Sequence, residues 1–265
     1  MTTLELELEV RLDNLLSAGR IETANIDIFA PIITHREECP ICLIPFSIDD
    51  ELTKFYPCCG KSICSGCVSE HMKTEIKNGA DHTKCAFYRK IAKNGNKALR
   101  KLIKRDNNPI AFMQMAFRHE SGDGILQSNT RALEMYNRAA ELGNADAYGY
   151  IASYYGQGIA VEQDESKTLE FLEVASKKGS LYAHRLLAKF HGRNDDKEKS
   201  IKHMKLVASA GDQDSMDDLM KYYKDKLLSK EDLTQTLRAY QASINETKSK
   251  EREDAKVIFR VLGIR

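Results

Sequence analysis

Hydrophobic positions in the second half of the chain recur at a nearly constant interval. Ala111, Ala147 and Ala183 are 36 residues apart, and Ser215 follows after 32. Three further sets keep the same register: Met115, Ile151, Leu187 and Leu219; Leu133, Leu169 and Ile201; Tyr136, Leu172 and Met204. Within each interval the apolar residues lie three or four positions apart, as on one face of a helix. The pattern therefore predicts repeated pairs of helices.

Each predicted unit ends at a glycine. Gly143, Gly179 and Gly211 follow the second helix of successive units, and glycine takes the left-handed conformation that ends a helix without a Cβ penalty. One helix pair cannot bury its own apolar face, so we expect the units to stack into a solenoid. A weaker fourth unit is expected to end at Gln241.

The two ends of the chain have patterns of their own. Near the N-terminus the segment LELELEVRL alternates leucine with mostly acidic residues. Period two favours a strand, whereas leucine and glutamate favour a helix. We therefore expect residues 1–36 to be a leader that is helical or disordered. The apolar spacing after Val257 predicts a last helix, within residues 242–265, that caps the stack.

A basic run connects the two halves of the chain. Nine Lys or Arg residues and no acid occur from Lys84 to Arg105. Apolar residues within it have helical spacing, which predicts an amphipathic linker helix over residues 93–106. The alternative is a contact with a polyanion or with ubiquitin, since such a run can bind phosphates. Few aromatic residues interleave with the charges, so nucleic acid is not the expected partner.

Composition divides the chain in the same place. All seven cysteines lie between Cys39 and Cys85, and neither Cys nor Pro occurs after Pro109. Because proline interrupts helices, the long stretch without it indicates an almost entirely helical second part. The formal net charge is only +1, and no run approaches the ~18 to 20 apolar residues that span a bilayer. We therefore expect no membrane partner.

Four of the cysteines have the spacing of a zinc site. Cys39 and Cys42 form one Cys-x-x-Cys pair, and Cys64 and Cys67 form another about twenty residues later. A two-residue gap lets both thiolates of a pair reach one tetrahedral ion. The chain shows no secretory signal and has an odd number of cysteines, so disulfides are not expected. These cysteines predict one Zn²⁺ in a reducing compartment, the cytoplasm or the nucleus.

The remaining cysteines, Cys58, Cys59 and Cys85, supply only three donors for a second Zn²⁺. His82, three residues before Cys85, is a candidate fourth ligand, and His71 is an alternative. Tyr88 stands where a second cysteine of the last pair would be expected, and a phenol is a poor zinc ligand. The second site is therefore predicted to be weaker than the first, or empty.

The segments CPIC, PCCGKSIC, SGC and CAFYR resemble the RING finger family in its all-cysteine form. The resemblance implies a small α+β module over residues 37–92 that binds two zincs in a cross-brace. It assigns one set of cysteines to the first zinc: Cys39, Cys42, Cys64 and Cys67. It assigns Cys58, Cys59 and Cys85 to the second. An alternative assignment makes Cys59 the third ligand and places Lys61 where the family usually has a histidine.

RING fingers commonly act as ubiquitin ligases by orienting a ubiquitin-conjugating enzyme, without a catalytic nucleophile of their own. The resemblance gives Ile41 the role of apolar contact for that enzyme and gives Arg89 that of the basic residue that clamps ubiquitin. Two departures from the family pattern favour a scaffold without activity. The last cysteine is replaced by Tyr88, and Ala86 stands where a proline usually follows the seventh ligand.

The helical part resembles Sel-one-like repeats, a branch of the tetratricopeptide-type repeats. The matching segments are AAELGNADA, at 139–147, and YGQGIAVEQD, at 155–164. The resemblance implies an adaptor scaffold, over 107–241, that binds client proteins on the solenoid surface. The chain contains none of the phosphate-loop, nucleophile-elbow or zinc-protease motifs.

Together these features predict a mainly α protein in which a small RING-like zinc-binding module precedes an all-α Sel-one-like solenoid. The predicted function is a zinc-binding protein-interaction adaptor working in ubiquitin transfer. The alternatives are an active RING-type ubiquitin ligase that recruits a conjugating enzyme, and a purely structural scaffold with a degenerate finger.

Overall fold

A computed structural model describes residues 3–29, 37–47, 53–79, 84–89 and 95–261. In these residues the chain forms two short strands, β1 (Lys54–Tyr56) and β2 (Lys61–Ile63), and twelve helices. The helices are α1 (Thr3–Thr23), α2 (Ser65–Lys77), α3 (Gly95–Asp106), α4 (Pro109–Ser121), α5 (Asn129–Glu141), α6 (Ala145–Gln157), α7 (Glu165–Lys177), α8 (Leu181–Arg193), α9 (Lys197–Ser209), α10 (Gln213–Lys224), α11 (Lys230–Thr247) and α12 (Lys250–Val261). The prediction of a mainly helical protein is confirmed.

The chain forms two compact units, and each unit combines segments that are far apart in sequence. The first contains Met1–Ile33 and Leu99–Val207, and the second contains Thr34–Ala98 and Ala208–Arg265. We refer to them as the repeat unit and the cysteine unit. The predicted segments 37–92, 93–106, 107–241 and 242–265 follow local sequence, whereas the units follow packing.

Side-chain caps set the helix boundaries in the repeat unit. The Asn108, Asn144 and Ser180 side chains each accept a hydrogen bond from the backbone N–H three residues ahead. Such caps satisfy N–H groups that have no partner within the helix. After the second helix of each of the first two helix pairs, Gly143 and Gly179 have φ values of +89° and +90°. Residues with a side chain rarely adopt this backbone conformation. The same few residue types therefore start and stop successive helices.

Alanines and large aromatic residues alternate in the core of the repeat unit. Ala116, Ala152 and Ala183 are almost fully buried and allow neighbouring helices to approach closely, while Tyr136 and Phe171 fill the space between them. The pairs α4–α5 and α6–α7 pack most extensively, followed by α5–α6 and α7–α8. This regular succession is the stacking that the sequence period predicts.

Helix α1 is also part of the repeat unit. Its apolar stripe of Leu8, Leu12, Leu15 and Leu16 is buried in the same core, and the helix packs on α5 and α7. On its polar side Lys167 pairs with Asp13 at 2.7 Å. The leucines recur at intervals of three and four residues, so the helical alternative for the leader is the one that the structure adopts.

The cysteine unit has a small core around a hairpin and two helices. Strands β1 and β2 pair antiparallel, with Phe55 opposite Ser62. Helix α2 follows β2 directly and packs against α12. The buried residues of this core are Cys39, Tyr56, Ile63, Cys64, Val68, Cys85, Ala255 and Phe259. Met216, Leu219 and Leu228 of the same unit are buried outside this cluster. The sequence predicted that the last helix caps the repeats, and the structure gives it a different neighbour because Ala255 and Phe259 lie among the cysteines.

Across the described part of the chain, no helix combines the length and the apolarity that a bilayer crossing requires.

Candidate metal centre

Four cysteine sulfurs converge in the cysteine unit. The Sγ atoms of Cys39, Cys42, Cys64 and Cys67 all lie within 4.8 Å of one another, and those of Cys42 and Cys64 are 3.7 Å apart. Tetrahedral Zn–S bonds of ~2.3 Å place two sulfurs about 3.8 Å apart. The spacing therefore suits one zinc ion held by four thiolates.

Local backbone geometry positions these sulfurs. Residues 39–44 form a tight turn in which Leu43 N–H donates to the Cys39 carbonyl at 2.8 Å and Cys39 N–H donates to the Ile44 carbonyl at 3.0 Å. The turn requires a positive φ of 58° at Leu43. Cys64 lies at the N-cap of α2, one turn before Cys67. The first pair is thus presented by a turn and the second by a helix N-terminus.

Backbone N–H groups also favour the ionised form of Cys39. Burial opposes ionisation, yet the backbone N–H groups of Cys42, Cys64 and Ile41 together lower the pKa of Cys39 to about 7. One of these bonds runs from Cys64 N–H to the Cys39 sulfur at 3.5 Å. Because only the thiolate is a metal ligand, the donors prepare this residue for coordination.

Three sulfurs form a second group. Cys58, Cys59 and Cys85 have Sγ atoms within 4.8 Å of one another, and those of Cys59 and Cys85 are 3.7 Å apart. Cys58 and Cys59 lie in the turn after β1, where Gly60 N–H donates to the Tyr56 carbonyl at 2.8 Å. Tyr88 N–H donates to the Cys85 sulfur at 3.5 Å. The two groups of sulfurs are the same two sets that the RING resemblance implies.

Without a metal ion, the three thiols of the second group do not readily ionise together. Burial raises the pKa of Cys58 to about 12, and the neighbouring sulfurs of Cys85 and Cys59 add to the rise. A divalent cation reverses this preference, because a coordinating thiol is deprotonated by the ion. The donor set therefore fits a soft cation such as Zn²⁺ and leaves one place for a fourth ligand.

The candidates for that fourth place differ in position. His82 lies outside the described residues. The His71 ring is hydrogen-bonded through Nε2 to the Lys84 carbonyl at 3.0 Å and does not belong to either sulfur group. Tyr88 exposes about half of its side chain, 52%. Lys61, the residue of the alternative assignment, extends over the Phe87 ring.

The two predicted partner-binding residues lie on the surface. Ile41 is 48% exposed although it stands between two buried or half-buried cysteines. Its neighbour Leu43 is also exposed. Arg89 is exposed and has a φ of 52°. Its backbone N–H donates to the Cys85 carbonyl at 2.8 Å, so the second sulfur group fixes its position.

One residue at the site was missed by sequence reasoning. Arg252, in the first turn of α12, is 4% exposed and reaches the first cysteine turn. Its guanidinium donates to the Pro45 and Ile44 carbonyls at 2.7 and 3.0 Å, and Nη2 lies 3.9 Å from the Cys42 sulfur. It stands in the charged segment KEREDAK, and nothing in that pattern separates it from a surface arginine.

The repeat unit carries a cleft on its surface. The cleft has a volume of about 250 Å³. Its lining combines apolar residues such as Leu172, Leu186 and Phe190, polar residues such as Ser153, Gln157 and Thr168, and the cations Lys189 and Arg193. Lys189 and Arg193 are exposed, so the cleft presents positive charge together with apolar surface.

Three histidines meet in the third repeat. His184 and His203 are buried, and their Nδ1 atoms are 2.8 Å apart, so one ring donates to the other. His191 stacks on His203 at 5.6 Å between ring centroids. Burial lowers the pKa of His184 to about 4. Burial also lowers the pKa of His203 to about 3, with His184, His191 and Lys199 contributing. Both rings are therefore neutral at pH 7 and serve packing.

Comparison with known proteins finds a repeat family within the helical part of the chain. Residues 111–144 and 145–180 both match the Sel1 repeat family, so the predicted repeats are confirmed over these two units. No curated protein sequence matches the chain.

Two solved structures resemble the chain in fold. A Sel1 repeat protein from Oxalobacter formigenes has a TM-score of 0.50 and 23% sequence identity, over 67% of this chain and 73% of that one. The protective antigen c5321 of uropathogenic Escherichia coli, which has an SLR fold, has a TM-score of 0.49 and 16% identity, over 68% of this chain and 38% of that one. The similarity to the first of these structures covers more of the chain than the two matched repeats, so the helical-repeat fold continues beyond them.

Proposed function

We propose that the protein is a zinc-binding adaptor whose repeat unit holds a protein client and whose cysteine unit is a zinc-stabilised docking module. The observation that carries the proposal is the convergence of four sulfurs from two distant segments, at distances that suit one ion. A bound zinc supplies folding free energy to a module with a very small core. Because unpaired cysteines persist in reducing compartments, the proposed location is the cytoplasm or the nucleus.

A second zinc is proposed at Cys58, Cys59 and Cys85. The three sulfurs supply three of the four ligands that a structural zinc requires. His82 is the proposed fourth, because its spacing from Cys85 permits both residues to bind one ion. A site with fewer thiolates is expected to lose its metal first.

Elemental analysis of the full chain tests the zinc proposal. We expect one to two zincs per chain after purification without added metal. Cys64→Ser is expected to abolish the first site, while Cys58→Ser is expected to leave that zinc bound. A natively folded cysteine unit that contains no metal and is unaffected by a strong chelator would overturn the proposal.

The repeat cleft is the proposed client surface. Its apolar lining residues, such as Leu186 and Phe190, and the exposed cations Lys189 and Arg193 suit a segment with apolar and acidic side chains. We expect Lys189→Glu with Arg193→Glu to abolish co-purification of a specific client in cell extracts. Arg131→Glu, at an exposed repeat position outside the cleft, is the matched control. Retention of the same client by the cleft variant would contradict this assignment.

Ubiquitin ligase activity is a second candidate function, favoured by the exposure of Ile41. An apolar side chain that is 48% exposed on the first cysteine turn is placed to contact a partner. The proposed partner is a ubiquitin-conjugating enzyme, with Arg89 as the contact for its ubiquitin. The catalytic contribution would be orientation of the thioester.

An autoubiquitination assay with a panel of conjugating enzymes tests this candidate. We expect Ile41→Ala to abolish any activity of the wild type without loss of zinc, because the side chain is largely exposed. A zinc-loaded, folded wild type that is silent with every enzyme would leave the adaptor without ligase activity. Restoring the missing cysteine with Tyr88→Cys then shows whether the second site limits activity.

A further inference from the structure

Arg252 connects the C-terminal helix to the first cysteine turn. Its Nη1 atom donates to the Pro45 carbonyl at 2.7 Å and to the Thr247 carbonyl at 2.9 Å. Its Nη2 atom donates to the Ile44 carbonyl at 3.0 Å and lies 3.9 Å from the Cys42 sulfur. One side chain therefore fixes the turn that presents Cys42 and ties it to the end of α11 and the start of α12.

The charge of this side chain needs a counter-charge. A buried guanidinium is costly unless it is paired, and Arg252 is 4% exposed. Among the described residues no carboxylate forms an ion pair with its guanidinium, which instead contacts three carbonyls and the sulfurs of Cys42 and Cys64. Four thiolates around one Zn²⁺ carry a net charge of −2. The zinc-loaded cluster is thus the negative group to which this cation is matched.

The packing of α12 on α2 is equally specific. Ala255 and Phe259 are buried in the core that contains Cys39 and Cys64. Gly66 lies between Cys64 and Cys67, and a Cβ built there would lie 2.9 Å from the Arg252 backbone nitrogen. The two helices therefore approach as closely as glycine permits, at the point where α2 presents its two sulfurs.

From these contacts we infer that α12 is a structural part of the metal site and that Arg252 is its positioning residue, so that docking of α12 and retention of the first zinc stabilise each other. The inference rests on the proposed zinc site. Binding energies that are linked in this way act reciprocally. Zinc should order α12, and docked α12 should slow the loss of zinc.

The rate of zinc release from the full chain tests whether docked α12 slows the loss of zinc. Zinc is transferred to an excess of a chromogenic chelator, and the rate is followed for the wild type, Arg252→Lys and Arg252→Met. We expect Arg252→Met to release the first zinc roughly 10- to 100-fold faster, the usual effect of removing a group that supports a metal ligand. Arg252→Lys keeps the charge but not the fork of donors, and we expect an intermediate rate.

A surface substitution on the same helix controls for nonspecific effects of changing α12. Val257→Ala, at a position of α12 that is 63% exposed, should leave the rate unchanged. Hydrogen exchange of the wild type tests whether zinc orders α12. The protection of the α12 amides should fall when zinc is removed. This measurement decides the question even if Arg252→Met does not fold.

The outcomes distinguish this inference from the proposal on which it depends. A wild type that holds no zinc defeats both. A wild type that holds zinc, together with an Arg252→Met variant that releases it at the wild-type rate, overturns the inference alone. Unchanged protection of α12 after zinc removal does the same.

Discussion

The repeat unit and the cysteine unit are held together in different ways. In the repeat unit, full burial of large side chains such as Tyr136, Phe171 and Leu187 repeats from one helix pair to the next. In the core around the sulfurs of the cysteine unit, three of the eight buried residues are themselves cysteines: Cys39, Cys64 and Cys85. A core of the first kind is stabilised by the burial of apolar surface, which contributes about 25 cal/mol per Å². A core of the second kind is too small to fold on burial alone, which is why we propose a metal there.

Each unit also takes in a helix from a distant part of the chain. Helix α1 joins the repeat unit through an apolar stripe centred on Leu12, which is fully buried. Helix α12 joins the cysteine unit through Phe259 and through the charged group of Arg252. The first contact is mainly apolar, with ion pairs such as Lys167–Asp13 at its edge, while the second depends on buried hydrogen bonds of one charged side chain. Sensitivity to metal removal should therefore differ between the two units.

The largest expected effect comes from Cys64→Ser. Loss of one thiolate should remove the first zinc, whose binding contributes on the order of 10 kcal/mol to folding in small zinc modules. We expect the cysteine unit to unfold while the repeat unit keeps its helical circular dichroism and its own melting transition. A proportional loss of helical signal over the whole chain would contradict two independently stabilised units.

Phe171→Ala makes the reverse test. Phe171 is fully buried between repeat helices, and truncation of a buried phenylalanine costs about 3 to 5 kcal/mol. The repeat unit should lose that amount in urea denaturation, and zinc content should be unchanged. Leu126→Ala, at a position of the repeat unit that is 76% exposed, is a suitable control. Loss of zinc in the Phe171 variant would show that the two units are not independent.

Acid should destabilise the repeat unit before carboxylates titrate. Burial lowers the pKa values of His184 and His203 to about 4 and 3, from an unfolded value of 6.5. Below pH 6.5 these histidines are protonated in the unfolded chain but remain neutral in the folded chain. The contribution of the neutral histidines to stability is therefore complete above pH 6.5 and is lost as the pH falls. Between pH 6.5 and 5 the loss is on the order of 2 kcal/mol for each histidine.

Urea denaturation at pH 7, 6 and 5 measures this loss. A His184→Gln, His203→Gln double variant should be less stable at pH 7 but should show a flatter pH dependence over the same range. An equally steep dependence in the double variant would assign the effect to other groups. Thiolate protonation affects zinc over a similar range, so the repeat transition must be followed separately.

The smallest expected effect is that of Gly143→Ala. A Cβ at Gly143 meets nothing within 4 Å, and the φ of this residue is +89°. Any cost is therefore backbone strain, about 1 to 2 kcal/mol for a residue with a side chain at positive φ. Thermal unfolding should show a small decrease in the repeat transition only. A neutral result would indicate that the turn relaxes to another conformation.

Local sequence determined the repeats and the grouping of cysteines that the resemblance implies. Helix boundaries follow from Asn, Ser and Asp caps and from glycines such as Gly143, because these residues act on backbone groups within a few positions. The 36-residue period fixes which face of each helix is apolar, and stacked units bury that face. Cysteine spacing indicates which sulfurs can meet within one pair, because two intervening residues allow a single turn.

Tertiary structure alone decided what the two end helices contact. An amphipathic pattern states which face of a helix is buried, but it does not state which surface covers that face. The alternation in LELELEVRL obscured a stripe that continues at Leu15 and Leu16 and is seated on α5 and α7. Arg252 lies far along the chain from Cys42, and its burial depends on a cation meeting carbonyls and a sulfur across that distance. Such pairings arise from long-range packing, which leaves no signal in neighbouring residues.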